Sequence, residues 1–383
     1  MNGLFILVFF VGIAFFSAIY GFYFVYLRVN SKKPWDFVIK TDFQPSISIL
    51  VPVHNEEENI GRKLENIQAV SYPVDKIEVI VADDASEDKT LEKIQAFIDN
   101  SPLLNVKVLK QEHRAGKAAV LNAALPLAAS PIVIVTDADT YWPEDILEKA
   151  LPYLSDPTVG AVTGRGINEN KGESWVTKSE DNYLQLAFVI RLGESKVHST
   201  IRFEGGFCAY KTTAFEKFDC ESGSDDSGTA LDVVQHNYRA ILVPETVFYT
   251  SFPSNFVGKL KIKARRGNQL IGLWIKCFKL MLKRRLVLPK RIVVPEIALF
   301  IVNPLVFLVS LVAAISAVVV WPLSIFSLFL LVLAVGLLVF ARGLFLELLF
   351  DNLLLVYGFF GFILGRRYVA WKKTPNKKTE NDR

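Results

Sequence analysis

Cysteine and histidine are scarce in this sequence. Three cysteines, Cys208, Cys220 and Cys277, are spread over 383 residues. An odd, sparse set is not a disulfide framework and suits a reducing compartment. No Cys-x-x-Cys or Cys/His group has zinc-ligand spacing, and the four histidines are scattered. No Gly-x-Gly-x-x-Gly follows the first expected strand, which argues against a nicotinamide enzyme. Gly116-Lys117 occurs in P-loops, but Gln111 stands where the first glycine of that loop belongs and Ala118 replaces its Ser/Thr. Charge of one sign is also lacking. The net charge of +4 is too weak to argue for nucleic acid.

Long hydrophobic runs are present, and they lie at the two ends. Residues 3–27 form an uncharged apolar run long enough to span a bilayer as a helix. A secretory signal peptide would need a basic segment before a shorter run and small residues after it, and neither is there. Arg28, Lys32 and Lys33 follow, and the positive-inside bias sets that end in the cytosol. Residues 293–341 are almost continuously apolar and fit two spans with Trp321-Pro322 at the turn. Residues 343–365 form a further stretch, interrupted by Glu347, Asp351 and Asn352. Four hydrophobic segments are therefore expected. Three crossings after a cytosolic domain would put Arg366, Arg367, Lys372 and Lys373 outside, against the charge rule. Either the last segment is re-entrant or interfacial, or the charge bias fails here. Glu347 and Asp351 should face protein, water or the interface, because intramembrane carboxylates are costly.

Between the ends the pattern changes. Ile47–Val53, Ile77–Ala82, Val106–Leu109 and Ile132–Thr136 read as buried strands. Glu57–Gln68, Asp88–Asn100 and Lys117–Leu127 read as helices between them. Strands alternating with helices imply βαβ units and a mostly parallel sheet, with ligands beyond the carboxyl ends of the strands. Residues 256–292 are basic and amphipathic and can lie in a membrane interface. The expected division is a transmembrane helix and linker over 1–38, an α/β domain over 39–250, the interfacial segment over 251–292, a transmembrane region over 293–367 and a polar tail over 368–383.

The chemistry-bearing residues sit at the expected strand ends. Asp137-Ala138-Asp139 closes the fourth strand, and two carboxylates two residues apart can share a hard cation completed by phosphate and water. A solvated turn capping a helix would look the same. Asp83-Asp84 ends the second strand. Adjacent acids repel, so a ligand with donors is a reasonable partner, while Ser86 or Asp88 can cap the next helix. Glu56 follows the first strand in a run whose acids also favour a helix start. Lys117 at a helix N-terminus opposes the dipole, a cost that an anion there would offset. Gly223-Ser224-Asp225-Asp226-Ser227-Gly228 is an acidic turn opening an expected helix Thr229–Asn237, where either acid can serve as a cap. Glu204-Gly205-Gly206 lines an acceptor side or forms an ordinary turn, since paired glycines allow close backbone approach.

Taken together, residues 45–270 resemble the family-2 glycosyltransferases of the GT-A fold, which include hyaluronan, chitin and cellulose synthases and polyprenyl-phosphate sugar transferases. Val51-Pro52-Val53-His54-Asn55-Glu56-Glu57 is similar to the family's first-strand motif. Asp83-Asp84-Ala85-Ser86 with Asp88 and Thr90 is similar to its DDxSxDxT. Gly116–Asn122 is similar to its GKxxALN, and Asp137-Ala138-Asp139-Thr140 to its metal motif.

The resemblance implies a GT-A domain, Rossmann-like and mostly parallel, joined to transmembrane helices. It implies a hexosyl- or N-acetylhexosaminyl-transferase in the cell membrane, multi-pass, with its catalytic domain cytosolic. A nucleotide sugar is the implied donor, a UDP-sugar first, and a lipid or glycan the acceptor. A divalent metal, Mg²⁺ or Mn²⁺, is implied on Asp139 with Asp137. Asp83, Asp84, Glu56, Lys117 and Asp137 are implied donor contacts. Asp226, with Asp225 before it, matches the general base. Arg265 or Arg266 would meet the diphosphate.

One departure is specific. Processive members carry Gln-x-x-Arg-Trp on the interfacial segment, and Leu260–Gly267 has no Gln or Trp in register. That favours a single transfer to a lipid or lipid-linked acceptor over a polysaccharide synthase, and with so few spans a pore would need partners or an oligomer. A non-catalytic membrane protein is the reading from another class, and the retained Asp84, Asp137, Asp139 and Asp226 argue against it.

Overall fold

The computed structural model describes residues 2–101 and 103–365, so the expected polar tail lies outside the described residues. The chain forms two compact units. One holds residues 27–173 and 181–253, and the other holds 2–26, 174–180 and 254–365.

The first unit is built on a seven-stranded sheet in the order β3-β2-β1-β4-β6-β5-β7. The strands are β1 (Ile47–Val53), β2 (Ile77–Asp83), β3 (Asn105–Lys110), β4 (Ile132–Val135), β5 (Val159–Asn168), β6 (Cys208–Lys211) and β7 (Arg239–Thr250). β1, β2 and β4 are fully buried along their length. That is why they read as near-continuous apolar runs: both faces of a parallel sheet are covered, so polar alternation is not needed, and the two inner polar residues, Ser48 and Glu78, hydrogen-bond to each other. Each Ile or Val buried there contributes about 1.5–3 kcal/mol. β3 is the exposed edge, and its lysines Lys107 and Lys110 discourage further pairing. β6 is antiparallel to both β4 and β5, and all other pairings are parallel. The expected mostly parallel α/β sheet is therefore present, with one inserted antiparallel strand.

The helices α2 (Ile60–Gln68), α3 (Thr90–Asn100), α4 (Lys117–Ala124) and α5 (Ile146–Ala150) connect the first strands, and α7 (Asp225–Gln235) precedes β7. The core runs through Ile49, Val51, Val79, Val81, Ile134, Leu64 and Ile67. α6 (Trp175–Val197) precedes β6. β1 has parallel neighbours on both sides, β2 and β4, so the chain order reverses there. Ligands of such sheets bind at this crevice.

The second unit is helical. α1 (Asn2–Ser31) packs against α10 (Asn303–Val320) through small residues. A Cβ on Gly12 would stand 2.0 Å from Ser310 Oγ, and Asn303 donates to the Phe16 carbonyl at 3.2 Å. α8 (Phe256–Leu282) is the basic amphipathic helix. α9 (Lys290–Ile297) runs through a wide turn at Ala298–Val302 into α10. After Trp321 come α11 (Ile325–Phe340) and α12 (Arg342–Ile363). Gly3–Ser31, Lys290–Val320 and Phe345–Ile363 are long and apolar enough to cross a membrane. The remaining expected segment is present but shorter than these. Ile325–Phe340 has 16 residues, about 24 Å of helix against a hydrocarbon core of about 30 Å.

Candidate active site

Two loops at the carboxyl ends of β1 and β2 fasten to each other. Asn55 (φ 56°) and Ala85 (φ 58°) adopt left-handed backbone. The turn at Ala85 costs about 1–2 kcal/mol for a residue with a Cβ. It lets the Asn55 N–H reach Ser86 Oγ at 2.9 Å, while the Glu87 N–H donates to Asn55 Oδ1 at 2.9 Å. The Glu56 N–H donates to Thr90 Oγ1 at 2.8 Å, and Asn59 Nδ2 donates to the Glu56 carboxylate at 2.6 Å. The first-strand motif and the Asp83–Thr90 motif are thus one hydrogen-bonded layer.

Asp83 and Asp84 stand in that layer, both buried. The Asp84 carboxylate accepts the N–H groups of Ala115 and Gly116 at 2.7 and 2.9 Å, at the start of α4. Asp83 accepts the Ser86 N–H at 3.2 Å. The donors expected from a ligand are here supplied by backbone, so the two acids shape the loops on which a ligand would rest.

Lys117, the first residue of α4, is the hub. Its Nζ lies 2.7 Å from Asp137 Oδ1 and 3.2 Å from Asp225 Oδ2. Burial alone would lower its pKa, but Asp137, Asp225 and Asp226 outweigh burial and hold the ammonium well above its ordinary value. The anion that a lysine at a helix N-terminus calls for is therefore this set of carboxylates. Gly205 closes the other side, where a Cβ would stand 2.6 Å from Asp137 Oδ2 and 3.0 Å from Lys117 Nζ. The Asp137 N–H donates to the Gly205 carbonyl at 3.1 Å. The pair Gly205-Gly206 is thus a close approach to the site.

Asp139 is exposed as a residue, but the protein packed around its carboxyl, and then the repulsion of Asp137 and Glu56, push it up to about 6. Beneath this loop lies Lys63, fully buried. Its Nζ donates to the Thr140 carbonyl at 2.8 Å and stands 4.2 Å over the Trp142 ring. Burial lowers its pKa to about 7, against the pull of Asp137 and Asp139. Lys63 gave no signal in the sequence, because it sits on the inner face of an ordinary amphipathic helix.

α7 begins at Asp225, four residues earlier than expected. Gly223, at φ 81°, makes the turn and Ser224 is extended, so both acids fall in the first helical turn, where the dipole favours them. Ser224 Oγ and the Ser227 N–H both donate to Asp226 Oδ1, the latter at 2.6 Å. Asp225 is pushed up to about 6 by burial, with Asp226 and Asp137 adding to it and Lys117 opposing. The preceding loop is pinned from α4: Asn122 donates to the Phe218 carbonyl at 2.9 Å and accepts its N–H at 2.7 Å. Asp219 then gathers the N–H groups of Glu221 and Ser222 at 3.2 and 3.0 Å. Asn122, the last residue of the Gly116–Asn122 motif, and Asp219, which lies in none of the motifs, hold this loop in place.

Arg265 and Arg266 stand on α8 in the helical unit, where Arg266 pairs with Glu180 at 3.0 Å. Among the described residues no three His, Cys, Asp or Glu side chains converge as a closed metal cage. Asp137 and Asp139 supply two oxygen donors with negative charge in excess, which fits a hard cation completed by water and phosphate oxygens.

Residues 48–219 match the sequence model of glycosyl transferase family 2. That stretch is a glycosyl transferase family 2 domain. It covers the site residues from Asn55 to Asp219, and the loop and helix from Glu221 to Ser227, with Arg265 and Arg266, lie beyond it. The family 2 domain lies within a chain that is similar to a mannosyltransferase from Pyrobaculum calidifontis, solved in complex with GDP-Man and Mn²⁺. The two are 29% identical with a TM-score of 0.81, over 94% of this chain and 100% of that one. The fold is therefore GT-A, as the motifs implied. The chain is also 29% identical to β-monoglucosyldiacylglycerol synthase of Synechocystis over 165 residues, 42% of this chain and 34% of that protein. It is 27% identical to poly-β-1,6-N-acetyl-D-glucosamine synthase of Staphylococcus aureus over 258 residues, 65% of this chain and 60% of that one. The matched stretches thus cover about a third and three fifths of these curated relatives.

Proposed function

We propose that this protein transfers a sugar from a nucleoside-diphosphate sugar to a lipid or lipid-linked acceptor at a membrane, with inversion at the anomeric carbon. The observation that carries the proposal is the junction at Lys117. One ammonium joins the metal-type motif after β4 (Asp137) to the acidic pair that opens α7 (Asp225). Leaving-group chemistry and base chemistry are thereby brought to one end of one sheet.

A sugar hydroxyl is a weak nucleophile at neutral pH, so a carboxylate must accept its proton as the new bond forms. Asp226 takes that role. Its two hydrogen bonds fall on Oδ1 and fix the carboxyl plane. The acceptor oxygen bonds to the anomeric carbon, the bond from that carbon to the phosphate oxygen breaks, and the electron pair leaves with the nucleoside diphosphate. Lys117 screens the repulsion between the carboxylates it joins and offers fixed positive charge where the leaving group becomes more negative. Asp139 and Asp137 would hold a divalent ion, Mg²⁺ or Mn²⁺, whose chemistry is neutralisation of the diphosphate. One base and one displacement give inversion.

The donors to test first are GDP-mannose, for the likeness to the Pyrobaculum calidifontis protein, and the UDP-sugars. A second reading, a polysaccharide synthase, is favoured by the likeness to the Staphylococcus aureus protein. The lack of a Gln or Trp in register over Leu260–Gly267 of α8 favours the first.

The test is nucleoside diphosphate release by the full chain in lipid, with a panel of donors and extracted polar lipids as acceptors. Release with one donor, one sugar added per lipid, and loss in Asp226→Asn is the expected result. Long products would establish the second reading. Full transfer by Asp226→Asn would remove the base assignment. No release from any donor with any lipid would overturn the transferase reading.

A further inference from the structure

We infer that α12 does not cross the membrane. It lies in the membrane interface alongside α8, with its outer apolar face in the lipid of the leaflet on which α8 rests.

α8 fixes the frame. Seven of its 27 residues are Lys or Arg, and it is not among the helices apolar enough to cross. Each cation at the bilayer centre costs about 2.5–3.5 kcal/mol, so α8 stays at the surface. Near its end the exposed residues Lys279, Lys283, Arg284 and Arg285, with Lys290 and Arg291 opening α9, form a basic margin suited to lipid phosphates.

α12 follows α8 in register. Lys259 pairs with Glu347, and Lys263 with Asp351 at 2.7 Å. A Cβ on Gly267 would meet Leu355 at 3.4 Å, and one on Gly358 would meet Ile271 at 3.0 Å. Asn268 donates to the Gly358 carbonyl at 3.3 Å. The first two pairs share an offset of 88 residues, and the later contacts keep to it within two residues, so the helices run parallel for about three turns. On α12 the contacts fall at 347, 351, 355 and 358, one face of a helix. The two glycines let the backbones approach.

Depth then follows. If α8 lies at the surface from Lys259 to Ile271, so does α12 from Glu347 to Gly358. Only five residues of α12 remain after Gly358, about 7.5 Å of helix, which cannot traverse a core of about 30 Å. The exposed Leu348, Tyr357, Phe360 and Ile363 meet acyl chains from the side. Glu347 and Asp351 are thereby kept from the bilayer centre. The arrangement also removes the conflict over charge. α1 and α9–α10 cross, and the short α11 returns where flanking residues or local bilayer thinning make up its length, which brings α12 back to the side of α8.

The test uses the full chain in native membranes. In a Cys220→Ser background, Thr379→Cys is labelled with a membrane-impermeant maleimide in intact cells and in inverted vesicles. The exposed native Cys220 reports the catalytic unit's side in the unaltered protein, and Cys208 and Cys277 are buried. Labelling of position 379 only from the side that labels Cys220 is expected, and labelling from the opposite side overturns the inference. Depth is read separately. Nitroxide-lipid quenching of a fluorophore at Leu348→Cys, Tyr357→Cys and Ile363→Cys should give one shallow depth for all three. A position at mid-bilayer, or a steady change of depth along the three, overturns it as well.

Discussion

Lys117 Nζ stands 2.7 Å from Asp137 Oδ1, and Asp225 shares the same ammonium at 3.2 Å. This contact joins two motifs separated by almost ninety residues. Lys117→Met would leave the half-buried acids Asp137 and Asp225 without their counter-ion, and Lys117→Arg would keep the charge but change its reach. Transfer is expected to fall at least a hundredfold in Lys117→Met and less in Lys117→Arg, with the thermal midpoint as a check on folding. A Lys117→Met protein at wild-type rate would separate this lysine from the chemistry.

Gly205 and Gly206 are expected to differ when each is changed to Ala. A Cβ at 205 meets Asp137 Oδ2 and Lys117 Nζ, whereas at 206 it meets the Phe248 ring at 2.2 Å. Gly205→Ala should lower transfer about tenfold or more with little change in stability. Gly206→Ala should lose about 1–3 kcal/mol of stability through overpacking. Denaturation and initial rates on the same two preparations check the contrast.

The acids of the site set a pH limb. Burial and neighbouring carboxylates push Asp225 and Asp139 up to about 6. Both must be ionised, to hold Lys117 and to bind a cation, so kcat/KM is expected to rise with pH through about 6 and to level about one unit above it. A profile measured from pH 5 to 8 that stays flat would contradict it.

Lys63 gives a stability signature of the opposite kind. Burial lowers its pKa from 10.5 to about 7, so between those values the unfolded chain binds more protons than the folded one. Stability therefore rises with pH across that window. The rise in thermal midpoint from pH 7 to 9 should be smaller in Lys63→Met than in the wild type. Equal slopes in the two proteins would show that this ammonium does not titrate as described.

Much of the sheet was legible in the sequence, for a physical reason. β1, β2 and β4 are covered on both faces, so they are short, mostly apolar runs rich in β-branched residues, and the polar residues that follow them mark the ligand side. β5 and β7 were not read as strands. β5 contains Gly160, Gly164 and Gly166, which weaken any local strand signal. Their reason is tertiary: a Cβ on Gly160 would meet Tyr238 at 2.6 Å, and one on Gly164 the Thr246 carbonyl at 2.7 Å. β7 is interrupted in its pattern by Pro244-Glu245.

By itself the sequence determined the alternating α/β domain between apolar ends, the acids at the strand ends, and the family likeness that joins them. Those are local properties, written in runs and short motifs. Only the tertiary structure decided which acids share a cation, because Lys117, Asp137 and Asp225 meet through the sheet order and not through spacing. It alone decided that Asp83 and Asp84 spend their oxygens on backbone N–H groups, that α7 begins at Asp225, and that a buried lysine underlies the Asp137–Thr140 loop. The last helix shows the same division. Its composition reads as a span, while its residue-by-residue pairing with a charged neighbour assigns it to the surface. A helix's depth is set by what it packs against as well as by its own hydropathy.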